Sequence, residues 1–299
     1  MGLLSGKRIK QAALAVALGL GVSTMATAYV AGAPMVVSAA KKKGYSRKEV
    51  AFDSTWKYGA NAKINTGKAI LYRQRDKMAS HLTVCVNAGH GTKGGEAVKT
   101  LCHPDGSPKV TGGTTASGAR EAIAVSSGTT MKDGTSEASA NLVMAQALKD
   151  ELLRRGYDVL MIRESDDVAL DNVARTVMAN KYADCHLAIH YDSTISDKGA
   201  FYCSVPDVAS YRNMEPVKSC WEMHTRLGTS LIDGMRGAGV KIFGKGALPT
   251  DLTQTSYSTI ASVDIEMGDR ATDRSAAMIN KTVKGLADGI DVFFTRNQK

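Results

Sequence analysis

The stretch EASANLVMAQALKDELLRRGYDVLMI, residues 137–162, decides the fold class of this chain. Its apolar residues recur at steps of three and four, namely Leu142, Ala145, Leu148 and Leu152. This spacing predicts an amphipathic helix from residue 137 to 155, with Ser136 placed to cap its start and Gly156 placed to end it. The run YDVLMI that follows predicts a buried strand, so a helix leads directly into a strand.

The same alternation extends over most of the chain. Strand-like runs at 83–86, 185–190, 199–205 and 260–266 are separated by predicted helices at 171–181, 217–236 and 273–294. Strands separated by helices of this length indicate a mostly parallel sheet with helices on both faces. We therefore predict one α/β domain with a mostly parallel twisted sheet over residues 81–299. Residues 41–80 are predicted to be an N-terminal extension or hairpin.

The composition and the placement of charge narrow the class of protein. The chain has 299 residues, 43% hydrophobic and 22% charged, which excludes a disordered, collagen-like or coiled-coil protein. No charged residue lies between Lys10 and Lys41, and the start of the chain is basic. This pattern predicts that residues 1–40 are a signal peptide or an uncleaved signal anchor. We expect an extracytoplasmic protein, secreted, associated with the cell wall, or tethered to a membrane through residues 11–40.

The chain has five cysteines, an odd number for an exported protein. Cys85 and Cys185 lie inside strand-like apolar runs, where a buried thiol acting as a small hydrophobic side chain is expected. A structural disulfide among Cys102, Cys203 and Cys220 stays open, because spacing does not determine pairing. No Cys-x-x-Cys or zinc-ribbon spacing is present.

Metal-capable residues follow several of the predicted strands. His90, His190 and Glu266 lie at strand ends, and Glu137 opens the long helix. In open α/β sheets, ligands bind at the carboxyl ends of the strands. Two histidines and one glutamate suit a catalytic zinc that keeps a fourth position for water, and a further glutamate would move the proton of that water. The sequence therefore predicts a zinc site at this rim of the sheet.

Short blocks around these residues occur in a recognisable order over about residues 82–295. They are Gly89-His90-Gly91, Glu137 with Asn141-Leu142, Arg163, Arg175 with Ala179-Asn180, Ile189-His190, and Glu266-Met267-Gly268. Together these blocks resemble the zinc-dependent N-acetylmuramoyl-L-alanine amidases of bacterial cell walls, the type-3 amidase family.

The resemblance implies a function and a role for each site residue. It implies that His90, Glu137 and His190 bind Zn²⁺ and that Glu266 is the catalytic acid/base. The implied substrate is peptidoglycan, cut at the amide between N-acetylmuramic acid and the L-alanine of the stem peptide. Two other functions stay open: a non-catalytic cell-wall-binding relative, and a zinc peptidase acting on the stem peptide. No basic stripe interleaved with aromatic residues is present, so we expect no nucleic-acid partner.

The chain also departs from the family pattern, at Asp192, Asp264 and Asp269 and in the length of one turn. Asp264 and Glu266 face the same side of a strand, so Asp264 is expected to raise a neighbouring pKa or to orient a metal ligand. Asp192 is a second candidate for such a supporting contact. Residues 92–136 are long for a loop in a compact domain. We predict that they are an insertion beside the active site that shapes the glycan groove or covers the zinc.

Overall fold

The computed structural model describes residues 44–297, which belong to one compact unit. The predicted signal segment, residues 1–40, lies outside the described residues. Within the part of the chain that the structure describes, no helix has the length and apolar character needed to cross a membrane.

The strands and helices are numbered here in chain order. The strands are β1 (Tyr45–Ala51), β2 (Lys68–Gln74), β3 (Thr83–Ala88), β4 (Lys99–Leu101), β5 (Glu121–Ile123), β6 (Asp158–Met161), β7 (Cys185–Asp192), β8 (Ala200–Ser204), β9 (Ile242–Pro249) and β10 (Ala261–Asp269). The helices are α1 (Glu137–Arg154), α2 (Asn172–Tyr182), α3 (Ala209–Arg212), α4 (Val217–Gly237), α5 (Thr253–Tyr257) and α6 (Ala276–Asn297). Short 3₁₀ turns lie at Gly59–Asn61 and Gly95–Ala97.

Eight strands form one sheet in the order β1-β2-β6-β3-β7-β10-β8-β9. The four central strands, β6, β3, β7 and β10, are mutually parallel, so their carboxyl ends meet at one rim. At one edge β1 and β2 form an antiparallel hairpin that continues the sheet. At the other edge β8 runs antiparallel to β10, and β9 runs parallel to β8. The predicted single α/β domain with a mostly parallel sheet is confirmed.

Apolar side chains cover both faces of the sheet. One face packs against α1, α4 and α6, through residues such as Leu148, Leu231 and Leu286, none of which is exposed. The other face packs against α2, where Val173 and Val177 contact the cluster around Leu160. The predicted cap of α1 is also present, because Ser136 Oγ accepts a hydrogen bond from Ser139 N at 3.2 Å. The two apolar clusters, one on each face of the sheet, hold the helices against it, and the first cluster thereby positions the start of α1 at the rim of the sheet.

Residues 92–136, predicted as an insertion, carry a two-stranded sheet of their own, β4 paired with β5. This segment is tied to the body of the domain by Asp251, which is fully buried between β9 and α5. The Asp251 carboxylate accepts hydrogen bonds from Val110 N at 2.7 Å and Lys109 Nζ at 2.9 Å. It also lies 3.2 Å from His103 Nε2, so this histidine serves to anchor the segment.

All five cysteines are free thiols, so no disulfide forms among Cys102, Cys203 and Cys220. Cys85 and Cys185 are fully buried, as expected for small hydrophobic side chains on central strands. Burial raises the pKa of the Cys85 thiol well above its usual range, which keeps it protonated.

Candidate metal centre

Three elements bring two histidines and one glutamate together at the rim. His90 follows β3, His190 lies near the end of β7, and Glu137 is the first residue of α1. His90 Nε2 lies 2.8 Å from Glu137 Oε1, and His190 Nδ1 lies 3.0 Å from the same oxygen. The two ring nitrogens are 3.1 Å apart. The ligand atoms of His90, Glu137 and His190 all lie within 4.8 Å of one another, and among residues 44–297 these three side chains form the group that could hold a metal ion.

The second nitrogen of each imidazole also has a neighbour. His90 Nδ1 lies 2.8 Å from the carbonyl oxygen of Ser126, a group that can only accept, so Nε2 is the ring nitrogen that faces the centre. His190 Nε2 lies 3.6 Å from the Asp264 carboxylate. Metal-binding histidines commonly direct their other ring nitrogen at a carbonyl or a carboxylate in this way. The donor set and its supporting contacts therefore fit a zinc ion.

The electrostatics of the centre favour a cation. Burial would raise the pKa of Glu137, but the hydrogen bonds of His190 and His90 outweigh it and hold that pKa well below its usual range. Burial opposes the charged form of His190, yet the carboxylates of Asp264 and Glu137 raise the pKa of His190 to about 10. These shifts describe protons shared between the imidazoles and Glu137, and a bound divalent ion would take the place of those protons.

Glu266 faces the same centre from β10. It is the ladder neighbour of His190 in the parallel pair of β10 and β7, so both side chains project from one face of the sheet. One carboxylate oxygen of Glu266 and one of Asp264 are buried without a hydrogen-bond partner among the described residues. Burial and the nearby Asp264 carboxylate raise the pKa of Glu266 well above its usual range. Glu266 is thus a carboxyl group able to hold a proton beside the histidines.

The end of the segment 92–136 forms one wall of the centre. Thr129 N donates to Glu137 Oε2 at 2.9 Å, which leaves Oε1 to face the histidines. Gly128 packs so closely that a Cβ added there would lie 2.8 Å from both Glu137 Oε2 and His90 Nε2. Sequence reasoning missed Ser126, Gly128 and Thr129, because the Ser126–His90 contact spans 36 residues and follows no local motif. A cleft of about 460 Å³ is lined by residues 92–97 at the start of this segment and by Ser126 and Ser127, next to the residues that contact the ligands.

The other acidic departures from the family pattern lie at the same rim. Asp192 forms an ion pair with Lys198 and accepts a hydrogen bond from Thr194 Oγ1 at 2.8 Å. Asp269 is fully buried, and its carboxylate accepts from Ser196 N at 2.8 Å and Thr194 Oγ1 at 3.0 Å. Both aspartates therefore organise the loop between β7 and β8, while Asp264 alone of the three lies against a predicted metal ligand.

The family model described as N-acetylmuramoyl-L-alanine amidase matches residues 84–292. N-acetylmuramyl-L-alanine amidases named Ami1 from Mycobacterium abscessus and Mycobacterium smegmatis align with a TM-score of 0.55 each, at 19% and 18% identity. These alignments cover 73% and 74% of this chain and 100% of each of theirs.

An N-acetylmuramoyl-L-alanine amidase from Clostridium difficile 630 aligns with a TM-score of 0.52 at 15% identity, covering 73% of this chain and 98% of its own. At such identities the structural likeness shows a shared fold. A comparison with curated protein sequences gives no match.

Proposed function

This chain belongs to the N-acetylmuramoyl-L-alanine amidase family, and we propose that it hydrolyses peptidoglycan at the amide between N-acetylmuramic acid and the L-alanine of the stem peptide. The observation that carries the proposal is the convergence of His90 Nε2, Glu137 Oε1 and His190 Nδ1, with Glu266 beside them. Family members act on the cell wall, so we also propose an extracytoplasmic location, reached through residues 1–40.

The proposed cofactor is one zinc ion held by His90, Glu137 and His190. When bound, zinc lowers the pKa of a water molecule and polarises the carbonyl of a scissile amide. Ser126 and Thr129 hold the first two ligand side chains in place by hydrogen bonds to His90 Nδ1 and Glu137 Oε2. The Asp264 carboxylate, 3.6 Å from His190 Nε2, favours a proton on that nitrogen, so that with a metal bound His190 Nδ1 would be the ligand atom.

Glu266 is the proposed acid/base. As the carbon–oxygen bond forms, its carboxylate takes one proton from the attacking water. It then gives that proton to the amide nitrogen as the carbon–nitrogen bond breaks, which leaves a carboxylic acid on the muramic acid and an amine on the alanine. The second proton of the water then passes from this acid to the amine, so the products are a carboxylate and an ammonium group. The raised pKa of Glu266 supports the proton-giving half of this role, and zinc, when bound, would favour the carboxylate form that the proton-taking half needs.

The test is a digest of purified peptidoglycan, followed by mass spectrometry of the products. We expect wild-type protein to release stem peptides that begin with L-alanine, and we expect a chelator to abolish this release until zinc is restored. Glu266→Gln should lower turnover at least 100-fold, while Glu222→Gln, a change at an exposed position on α4, should not.

Other outcomes of the digest identify the alternatives. Shortened peptides still attached to sugar would indicate a zinc peptidase, and peptidoglycan that is bound but chemically unchanged would indicate a wall-binding protein. Turnover of Glu266→Gln within tenfold of wild type would refute the assigned acid/base.

A further inference from the structure

Two arginines are buried beneath the turn that carries His90. Arg163 and Arg175 are each 1% exposed. The hydrogen bonds that they donate within residues 44–297 go to backbone carbonyls and to neutral side chains. Burial lowers the pKa of Arg163 to about 10 and the pKa of Arg175 to about 9. Burying a guanidinium without a carboxylate partner costs free energy. This cost suggests that the hydrogen bonds of the two arginines serve a purpose at the site.

Arg163 connects the two segments that carry His90 and Glu137. Its Nη2 donates to the carbonyl oxygen of Gly89 at 2.9 Å and to that of Ala138 at 2.6 Å. Gly89 directly precedes His90, and Ala138 directly follows Glu137. One nitrogen atom therefore spans the backbone beside both side chains. A planar guanidinium can make this bridge while Nε also binds Ala88 O at 3.0 Å, whereas a lysine has one nitrogen for all three acceptors.

Arg175 donates hydrogen bonds to the turn that carries His90. Its Nη2 donates to His90 O and to Thr92 Oγ1, both at 2.7 Å, and its Nη1 donates to Asn87 Oδ1 at 3.1 Å. His90 has a φ of 63° and Gly91 a φ of 69°, in the left-handed region. A residue with a Cβ adopts that conformation unwillingly, so the contact with His90 O stabilises the backbone that aims the imidazole at Glu137.

We propose that Arg163 and Arg175 are positioning residues that set the separation of His90 and Glu137 and thereby the affinity of the centre for zinc. The proposal rests on the proposed function in one respect, namely that these side chains bind a metal. Neither arginine donates a hydrogen bond to the ligand atoms: Arg175 acts through the turn that carries His90, and Arg163 acts through that turn and the first turn of α1.

The test measures zinc binding by the metal-free full chain, in competition with a chromophoric chelator, for Arg163→Lys and Arg175→Lys. The matched control is Arg155→Lys, which removes a guanidinium at the end of α1. In wild-type protein that guanidinium pairs with Asp288 and Asp291 of α6. We expect zinc affinity to fall 10- to 100-fold in the first two variants and to change less than threefold in the control. The absorption spectrum of bound cobalt should also shift in the first two variants, because the ligand geometry changes.

The outcomes separate this inference from the proposed function. Absence of zinc binding by wild-type protein would refute the proposed cofactor, whereas the ratio of variant to wild type tests the arginines. Folded Arg163→Lys and Arg175→Lys that bind zinc like wild type would overturn the proposal, even with a lower melting temperature. Should Arg163→Lys not fold, Arg175→Lys decides. Failure of both to fold would also overturn it, because the arginines would then hold the fold and not the ligand separation.

Discussion

Replacing Gly128 by alanine tests how closely the segment 92–136 is packed against the candidate metal centre. Gly128 has a φ of 80°, and an added Cβ would lie 2.7 Å from His90 Cδ2 and 2.8 Å from Glu137 Oε2. Gly134 offers a matched control in the same segment. It has a φ of 87°, and an added Cβ there would meet no atom within 4 Å.

The size of the effect follows from the difference between the two sites. Both alanines adopt a left-handed conformation, which costs about 1–2 kcal/mol of folding free energy in each variant. Only at Gly128 must the neighbouring side chains also move, by about 0.6 Å, to reach an ordinary contact distance of 3.4 Å. Metal and catalytic sites tolerate displacements of roughly 0.5 Å. We therefore expect zinc affinity to fall at least tenfold in Gly128→Ala and to stay within twofold of wild type in Gly134→Ala.

The assay combines two measurements on the metal-free proteins. Thermal unfolding should show a loss of stability in both variants, because the backbone cost is shared, and a larger loss in Gly128→Ala, where neighbouring side chains must also move. Competitive zinc titration should then separate them. Equal zinc affinity of Gly128→Ala and Gly134→Ala would refute the reasoning, since it would mean that the glycine does not lie against the metal ligands.

Three further predictions concern stability and covalent state. Asp251→Asn should lower the free energy of unfolding, measured in urea, by about 3 kcal/mol, because it leaves the buried Lys109 without a counter-ion. The control Asp207→Asn changes a side chain that is 87% exposed and should cost less than about 1 kcal/mol. Equal losses in the two variants would contradict this prediction. The hydrogen bond of Arg154 lowers the pKa of Glu151 to about 2, so its contribution is complete above the unfolded pKa of roughly 4.3 and is lost as the pH falls towards 2. Glu151→Gln should therefore flatten the dependence of unfolding free energy on pH between 4.5 and 2, and an unchanged slope would count against that pair. A thiol reagent should titrate five thiols in denaturant without a reductant, and a lower number would reveal a disulfide.

Much of the architecture was predictable from local pattern. The period of Leu142, Leu148 and Leu152 defined α1, and the predicted cap at Ser136 is present. The strand β9 was missed because positions 244 and 246 are glycines with positive φ, which interrupt both the apolar pattern and the regular extended backbone. The small helix α5 is too short, at five residues, to show a helical period.

The convergence of the candidate site was also predictable, for a topological reason. His90, His190 and Glu266 each follow or end a strand, and parallel strands bring their carboxyl ends to one rim whatever the length of chain between them. The supporting contacts were not predictable in this way. Ser126, Thr129 and Asp251 reach their partners through irregular backbone, where no period specifies the direction of a side chain.

The sequence by itself therefore determined the alternating elements, the parallel sheet and the candidate ligands at its rim, because these follow from apolar periodicity and from residues adjacent to strands. Only the tertiary structure decided that Ser126 and Thr129 would contact the side chains of His90 and Glu137, and that Asp269 would hold a loop. It also decided that Arg163 would bridge the backbone beside His90 and Glu137. The physical reason is that hydrogen bonds between distant segments depend on the angles and separations of packed elements, and neither composition nor spacing records them.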